Sequence, residues 1–440
     1  MAYRVGMVSL GCAKNQVNSE QMLWLLKAAG YEIATEIANL DAVIINTCGF
    51  IERAKSEAIE NILEFASLKE EGRLKKIIVT GCLPQRYGEE MRQELPEVDG
   101  LVGCGSFDEI VKALDRVMEG EKACLFGDVN GAVSEVDRII STGPGWAYIK
   151  IAEGCDNRCS YCVIPSLRGS YRSRPMENII REAKKLAASG LKELIIVAQD
   201  ITRYGFDFSG KRLLAELIKK LSEIEGIEWI RLHYLYPDEI DDELIREIAE
   251  NKKVVKYLDI PIQHINDKIL KSMNRRGTGD EIRRLLKRLR EEIPGLVLRT
   301  SIITGLPGEG EAEFEELCEF LLDAKIERAG VFPYSPEEGT AAERMPGRPS
   351  REEAERRAEL IMDIQCRIMD QYNESLFGKT IKVLCEGYDR FAECYYGRSE
   401  ADSPEVDGKV FFTGKNIRPG EFSNVKITGT LDGDLLGEAL

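Results

Sequence analysis

A chain of 440 residues, 43% apolar and 31% charged, is too long for one ordinary core, which predicts two to four domains in a globular protein. Its longest apolar runs, AVIIN (42–46) and LIIVA (194–198), stop far short of the ~20 residues that cross a bilayer, and MAYRVGMVSLGC has no signal-peptide pattern, so no membrane contact and a cytoplasmic location are expected. A net charge of −16 argues against a surface built to hold nucleic-acid phosphates, twelve cysteines in a reducing compartment point to metal or catalysis before disulfides, and two histidines, His233 and His264, leave little room for His-rich zinc sites.

The first 120 residues alternate apolar runs with amphipathic stretches: RVGMVSL, SEQMLWLLKAAG, AVIIN, SEAIENILEFASL, KIIVTG, EEMRQELP, LVG and DEIVKALDRVMEG. This is the pattern of repeated βα units and predicts a parallel sheet, an N-terminal α/β domain of Rossmann-like kind over 1–120. Glycines and polar residues break the rhythm over 121–145, which reads as a linker. Strand patterns then resume at WAYIKIAEG, LKELIIVAQD, WIRLHYL, VKYLDIPIQ, LVLRTSIITG and AGVFPYS, separated by helical segments. Six such units predict a partial (β/α)6 barrel over 146–372, closed by a charged helix from Ser350 to about Phe377. Short β runs punctuated by Gly, Asp and Pro over 373–440 predict a small all-β barrel.

Cys155, Cys159 and Cys162 form C-x3-C-x2-C in EGCDNRCSYCVIP, directly after an apolar strand. Three thiolates so close together can wrap one compact cluster and leave one iron without a protein ligand. Zinc sites usually pair C-x2-C with a second pair elsewhere, and ferredoxin spacings differ; a structural zinc knuckle is the alternative. Cys12, Cys48 and Cys82 each follow an apolar strand, in VGMVSLG-Cys12, AVIINT-Cys48 and KIIVTG-Cys82. Ligands gather beyond the carboxyl ends of parallel strands, so these three are expected to converge. Cys104, after LVG, repeats the pattern on the next strand and is held apart from the ligand set.

The C-x3-C-x2-C spacing, the preceding strand and Tyr161 resemble the radical S-adenosylmethionine superfamily. That resemblance implies a 4Fe-4S cluster on Cys155, Cys159 and Cys162 whose open iron is chelated by S-adenosylmethionine. It also implies cofactor-binding roles for Gln199 and Asp200, at the end of LIIVAQD, and for Gly305 and Gly308 in SIITGLPGE. With both triplets placed, the whole chain resembles the methylthiotransferases: an N-terminal cluster domain, a radical S-adenosylmethionine core and a C-terminal TRAM domain. The resemblance implies a second 4Fe-4S cluster on Cys12, Cys48 and Cys82, and a reducing electron donor.

SLGCAKNQVNSE, INTCGFIERAKSE and CSYCVIPSLRGSYRSRP resemble the branch that modifies the β-carbon of an aspartate in the twelfth protein of the small ribosomal subunit, free or assembled. Ala13 and Asn18 depart from that branch's usual Pro and Asp without touching a candidate ligand. The alternative within the family is a tRNA adenosine, isopentenyl- or threonylcarbamoyl-modified. Charge separates the two: residues 373–440 carry eight Lys and Arg against twelve Asp and Glu, a net of −4. A barrel that grips tRNA should be basic, whereas an acidic one suits a basic ribosomal protein. Outside the family, a non-catalytic iron-sulfur electron carrier would leave S-adenosylmethionine intact, and a zinc-stabilised RNA-binding protein would contain no iron. Arg168, Arg172 and Arg174, just beyond the cysteine loop, are candidates to bind a carboxylate of cofactor or substrate.

Overall fold

Near-continuous apolar runs such as LDAVIINT and LKKIIVTG belong to strands covered on both faces, as parallel strands are. The structure, a computed structural model, describes residues 3–36 and 40–440. These divide into two compact units. One comprises the segments up to Ser141, Ala152–Arg174 and Ser335–Glu343; the other comprises Thr142–Ile151, Pro175–Tyr334 and Arg344–Leu440. No helix among the described residues is long and apolar enough to cross a membrane.

The first unit is built on six strands, β1 (Arg4–Ser9), β2 (Glu32–Ile33), β3 (Leu40–Thr47), β4 (Leu74–Gly81), β5 (Gly100–Val102) and β6 (Ala123–Leu125), in the order β2-β1-β3-β4-β5-β6. Every pairing is parallel. Alternate residues of β3 and β4 feed the two faces. Val43, Ile45, Ile77 and Val79 enter the core that contains Ala58, Ile62 and Phe65 of the Glu52–Glu70 helix. Ala42, Ile44 and Ile78 enter the other, with Met22 and Leu26 of the Ala13–Ala28 helix and Ala113 and Leu114 of the Ile110–Met118 helix. The stretch read as a linker therefore needs correction, because Ala123–Leu125 adds a sixth strand. Only Ala123 and Leu125 are inward-facing in that three-residue edge strand, too short to produce a periodic signal before the glycines that follow.

In the second unit, β7 (Trp146–Lys150) precedes a short hairpin of the first unit, β8 (Ala152–Glu153) with β9 (Arg172–Ser173). The sheet continues with β10 (Glu193–Val197), β11 (Trp229–Leu232), β12 (Val254–Asp259), β13 (Val297–Thr304) and β14 (Arg328–Pro333). Each pairs in parallel with its neighbour in the chain, giving the order β14-β13-β12-β11-β10-β7. That single-direction winding is the connectivity of a barrel left open. Three of the helices begin at side-chain caps of this kind: Asp241 accepts from Leu244 N, Thr278 and Glu281 form a capping box, and Ser350 accepts from Glu353 N at the start of the long Arg351–Glu374 helix.

The C-terminal residues form a closed barrel, β15 (Thr380–Asp389), β16 (Cys394–Ser399), β17 (Val410–Thr413), β19 (Asp434–Ala439) and β18 (Phe422–Leu431), in the order β15-β16-β17-β19-β18. Its core is Val383, Cys385, Val410, Phe412, Val425, Ile427 and Leu435. β19 was not apparent from its glycine- and aspartate-rich sequence; it exists because it pairs with β18 and lies parallel to β17, closing the barrel.

The barrel is fastened to the parallel sheet by buried charge. Glu193, fully buried at the start of β10, accepts from Arg231 Nε and Arg398 Nη2, both at 2.7 Å. Arg231 also donates to the carbonyls of Glu400 (2.9 Å) and Ser399 (3.3 Å), and Arg398 to Glu386 (2.6 Å). Tyr257 donates to Asp407 (2.6 Å), and Arg328 pairs with Asp402 (3.0 Å). Burial works against the charge of Glu193, but the guanidiniums, Arg398 foremost, outweigh it and hold the carboxyl below its ordinary range. The stability it contributes is therefore fully present above the unfolded glutamate value of about 4.3 and fades as the pH falls below it. Replacing Glu193 with Ala strands two guanidiniums without a counter-charge, and a loss of about 3–5 kcal/mol is expected. A thermal melt of the full chain checks this: the Glu193→Ala melting temperature should fall clearly at pH 7, and the gap to the parent should narrow in acid.

Candidate metal centres

β1, β3 and β4 lie side by side, and each ends next to a cysteine. Cys12 caps the Ala13–Ala28 helix two residues beyond Leu10, Cys48 follows Thr47 directly, and Cys82 opens the Cys82–Glu94 helix directly after Gly81. Side chains lash the three strand ends together. Asn15 Nδ2 donates to Leu10 O (3.2 Å) and Thr47 O (2.9 Å), and Asn46 Nδ2 to Asn15 O and Ser19 Oγ (both 2.8 Å). Thr47 Oγ1 donates to Thr80 O (2.7 Å). The close approach requires glycine at position 81. Gly81 has φ +99°, and a Cβ there would sit 2.4 Å from Asn46 Oδ1 and 2.5 Å from Thr47 O.

The thiols are near enough to feel one another. Burial, then the neighbouring Cys82 and Cys12, push the Cys48 thiol up to about 12. Cys82 moves the other way: Cys104 donates to its sulfur across 3.8 Å and Arg168 Nη2 across 3.5 Å, and these two favour Cys82 as the thiolate while Cys104 keeps its proton. Val163, Leu167 and Phe50 pack around this pair. Cys104 is thus beside the triplet rather than remote from it.

The second cysteine set lies in the loop between β8 and β9. The hairpin pairs Ala152 with Ser173 and Glu153 with Arg172, and Cys155 N donates to Gly169 O (3.0 Å). Gly154, at φ +77°, has Ser170 O where a Cβ would be, at 2.0 Å. Cys162 N donates to Cys159 O (3.0 Å), Tyr171 N to Asp156 Oδ1 (3.0 Å), and Ala342 N to Ser160 O (2.9 Å). Cys155 and Tyr161 are buried, while Cys159 and Cys162 are half-buried.

Among the described residues no three His, Cys, Asp or Glu side chains already stand in the geometry of a single metal ion. The donor chemistry nevertheless fits iron-sulfur clusters: each set offers three thiols, the ligand type such clusters take. In the strand-end set, Cys82 is already biased toward the thiolate a metal needs.

The arginines beyond the loop are engaged within their own unit rather than held open for a carboxylate. Arg168 donates to Asn15, Asn18 and Glu153, Arg174 pairs with Glu135 (2.6 Å), and Arg172 donates to the backbone carbonyls of Ser170 and Arg168. What sequence reasoning missed here is Asn15, inside the quoted SLGCAKNQVNSE motif, whose spacing three residues past Cys12 on a helix was the available signal.

The four nucleotide-side candidates lie in the other unit, beyond the carboxyl ends of β10 and β13. Asp200 is buried and accepts from Thr202 N (3.0 Å) and its hydroxyl; Gln199 is half-buried beside it. Gly305 has φ +74°, and the space of its Cβ is taken by Ala354 at 2.3 Å, so its smallness serves helix packing. At Gly308, whose amide donates to Gly347 O (2.9 Å), a Cβ would meet nothing nearer than 3.9 Å. Glu309 went unremarked in the same motif: it accepts from Gly305 N (2.9 Å) and Arg357 Nη1 (2.8 Å) and lies 3.5 Å from His264 Nε2.

Three family models match the chain: the Radical SAM superfamily over residues 149–321, Uncharacterized protein family UPF0004 over 4–103, and the TRAM domain over 377–440. The fold is similar to that of the radical S-adenosylmethionine methyltransferase TsrM from Kitasatospora setae, with a TM-score of 0.57 at 15% identity over 78% of this chain and 77% of that one. The chain is a radical S-adenosylmethionine enzyme with a TRAM domain. Along its entire length it is 51% identical to the ribosomal protein uS12 methylthiotransferase RimO of Pelotomaculum thermopropionicum, covering 100% of that protein, and 49% identical to the protein of the same name from Acetivibrio thermocellus, covering 99%. It belongs to the family of ribosomal protein uS12 methylthiotransferases.

The strand-end geometry has a direct test. Gly81→Ala forces an alanine into positive φ, about 1–3 kcal/mol on that ground alone, and drives its methyl into Asn46 and Thr47. Anaerobically purified Gly81→Ala protein is expected to melt lower than the parent and to lose the iron held by the strand-end set, measured by iron analysis.

Proposed function

We propose that the chain transfers a methylthio group to the β-carbon of an aspartate in protein uS12, with one 4Fe-4S cluster on Cys155, Cys159 and Cys162 and a second on Cys12, Cys48 and Cys82. The observation that carries this reading is the pairing of two three-thiol sets, one in a C-x3-C-x2-C loop and one on three adjacent strand ends. When bound, the clusters and S-adenosylmethionine supply one-electron chemistry able to remove hydrogen from an unactivated carbon.

The protein's own part is placement and enclosure. Six thiolates would hold the two clusters, three for each, so that one iron of each could take an exogenous ligand. Asn15 and Asn46 keep the strand-end set together, and the β8–β9 hairpin keeps the loop set together. Gln199 and Asp200 are the groups offered to the methionine amine, and the backbone at Gly305 and Gly308 borders the adenine. No acid-base side chain is asked to deprotonate the β-carbon, consistent with a chain that has two histidines. The acidic TRAM barrel, −4 over residues 373–440, favours a basic ribosomal protein by charge. A reducing partner must deliver electrons, and the cytoplasm is where both that partner and the substrate are met. The division of labour follows the chain: the N-terminal sheet domain, extended to β6, for the second cluster, 146–372 for the radical core, and 373–440 for the barrel.

Two triple variants test the assignment in anaerobically reconstituted protein. C155A/C159A/C162A should abolish formation of 5'-deoxyadenosine from S-adenosylmethionine under reducing conditions while retaining one cluster. C12A/C48A/C82A should still make 5'-deoxyadenosine yet yield no methylthio-aspartate in uS12 by peptide mass spectrometry. Thiomethylation of tRNA, with uS12 untouched, would reassign the substrate.

A further inference from the structure

Arg168 is 4% exposed, and its guanidinium is spread over both cysteine neighbourhoods. Nη2 donates to Cys82 Sγ (3.5 Å) and to Asn15 Oδ1; Nη1 donates to Asn18 Oδ1 (3.1 Å) and Glu153 Oε1 (3.1 Å). Asn15 in turn donates to the carbonyls of Leu10, two residues before Cys12, and of Thr47, directly before Cys48. One side chain therefore touches the sulfur of one strand-end cysteine directly and steadies the other two through a single amide. The next residue serves the other set. Gly169 O accepts the Cys155 amide, and Glu153, which receives Arg168, lies two residues before Cys155. Gly169 has φ +73°, with Val129 O 2.5 Å from where a Cβ would stand, so its carbonyl direction is tightly determined.

We propose that Arg168 is a positioning residue for the strand-end cluster. It donates a charged hydrogen bond to the ligating sulfur of Cys82, thereby raising that cluster's reduction potential, and ties the Cys82 ligand to the hairpin that carries Cys155. Hydrogen bonds and positive charge at a ligating sulfur stabilise the reduced, more negative cluster. A guanidinium suits the task because its planar fork donates in several directions at once, to the sulfur, two amides and a carboxylate. The inference rests on the two-cluster reading above.

Its test isolates each cluster in the full chain. In the C155A/C159A/C162A background, Arg168→Gln should leave iron content unchanged, move the midpoint potential to more negative values in an EPR-monitored titration, and alter the cluster's spectrum. Arg168→Lys keeps the charge and loses the fork, and should bring back part of the potential. In the C12A/C48A/C82A background the same Arg168→Gln change should leave the loop cluster's midpoint where it was, because its tie to Gly169 is through backbone. An unmoved strand-end midpoint, or equal shifts in both clusters, would overturn this inference alone. Should Arg168→Gln fail to hold iron, Arg168→Lys carries the test: an altered spectrum supports the role, and an unaltered one overturns it. A C155A/C159A/C162A parent that binds no iron would overturn the two-cluster reading itself.

Discussion

Three parallel strands, β1, β3 and β4, end within reach of one another, and the thiol chemistry of the first unit depends on that approach. Parallel strands carry successive side chains to alternate faces and bring their carboxyl ends to one edge, so a residue just past each end is delivered to a shared neighbourhood. Strand ends are also rich in backbone groups without ladder partners. Asn15, Asn46 and Thr47 take those groups up, which turns three separate loops into one cross-bonded surface. Gly81 admits the contact by having no side chain.

Electrostatics then distinguishes thiols that are chemically identical. Burial alone would keep each cysteine protonated, as it does Cys48. Cys82 differs because Cys104 and Arg168 both donate to it, and the same guanidinium reaches the carboxylate of Glu153. A buried arginine carries a large desolvation penalty, acceptable only when its charge finds partners; here it finds four acceptors on four residues.

The second unit solves a related problem with different materials. Its open parallel sheet and its closed C-terminal barrel meet around Glu193, Arg231 and Arg398, all almost completely excluded from water. Apolar packing alone would hold two such surfaces together in many registers. Paired charges at 2.7 Å penalise the wrong ones, since any slip leaves a guanidinium buried without its carboxylate.

How much of this was readable before folding follows from the range of the interactions. The C-x3-C-x2-C loop is local, and so are the strand-then-cysteine patterns and the six apolar runs of the open sheet; spacing along the chain suffices for all of them, and each appears where expected. β6 and β19 were not readable, because three or six residues amid glycines become strands only when a longer partner supplies their hydrogen bonds. The use of Arg168 was misread for the same reason. Its partners Cys82 and Asn15 lie 86 and 153 residues away, and nothing in the local sequence says whether an arginine after a cysteine loop faces a substrate or a ligand. Residue type and short-range spacing determine which atoms this protein has for binding metal. Which thiol becomes the thiolate, and which side chain holds it, depends on desolvation and charge at distances of a few ångströms, and those exist only once distant segments have packed.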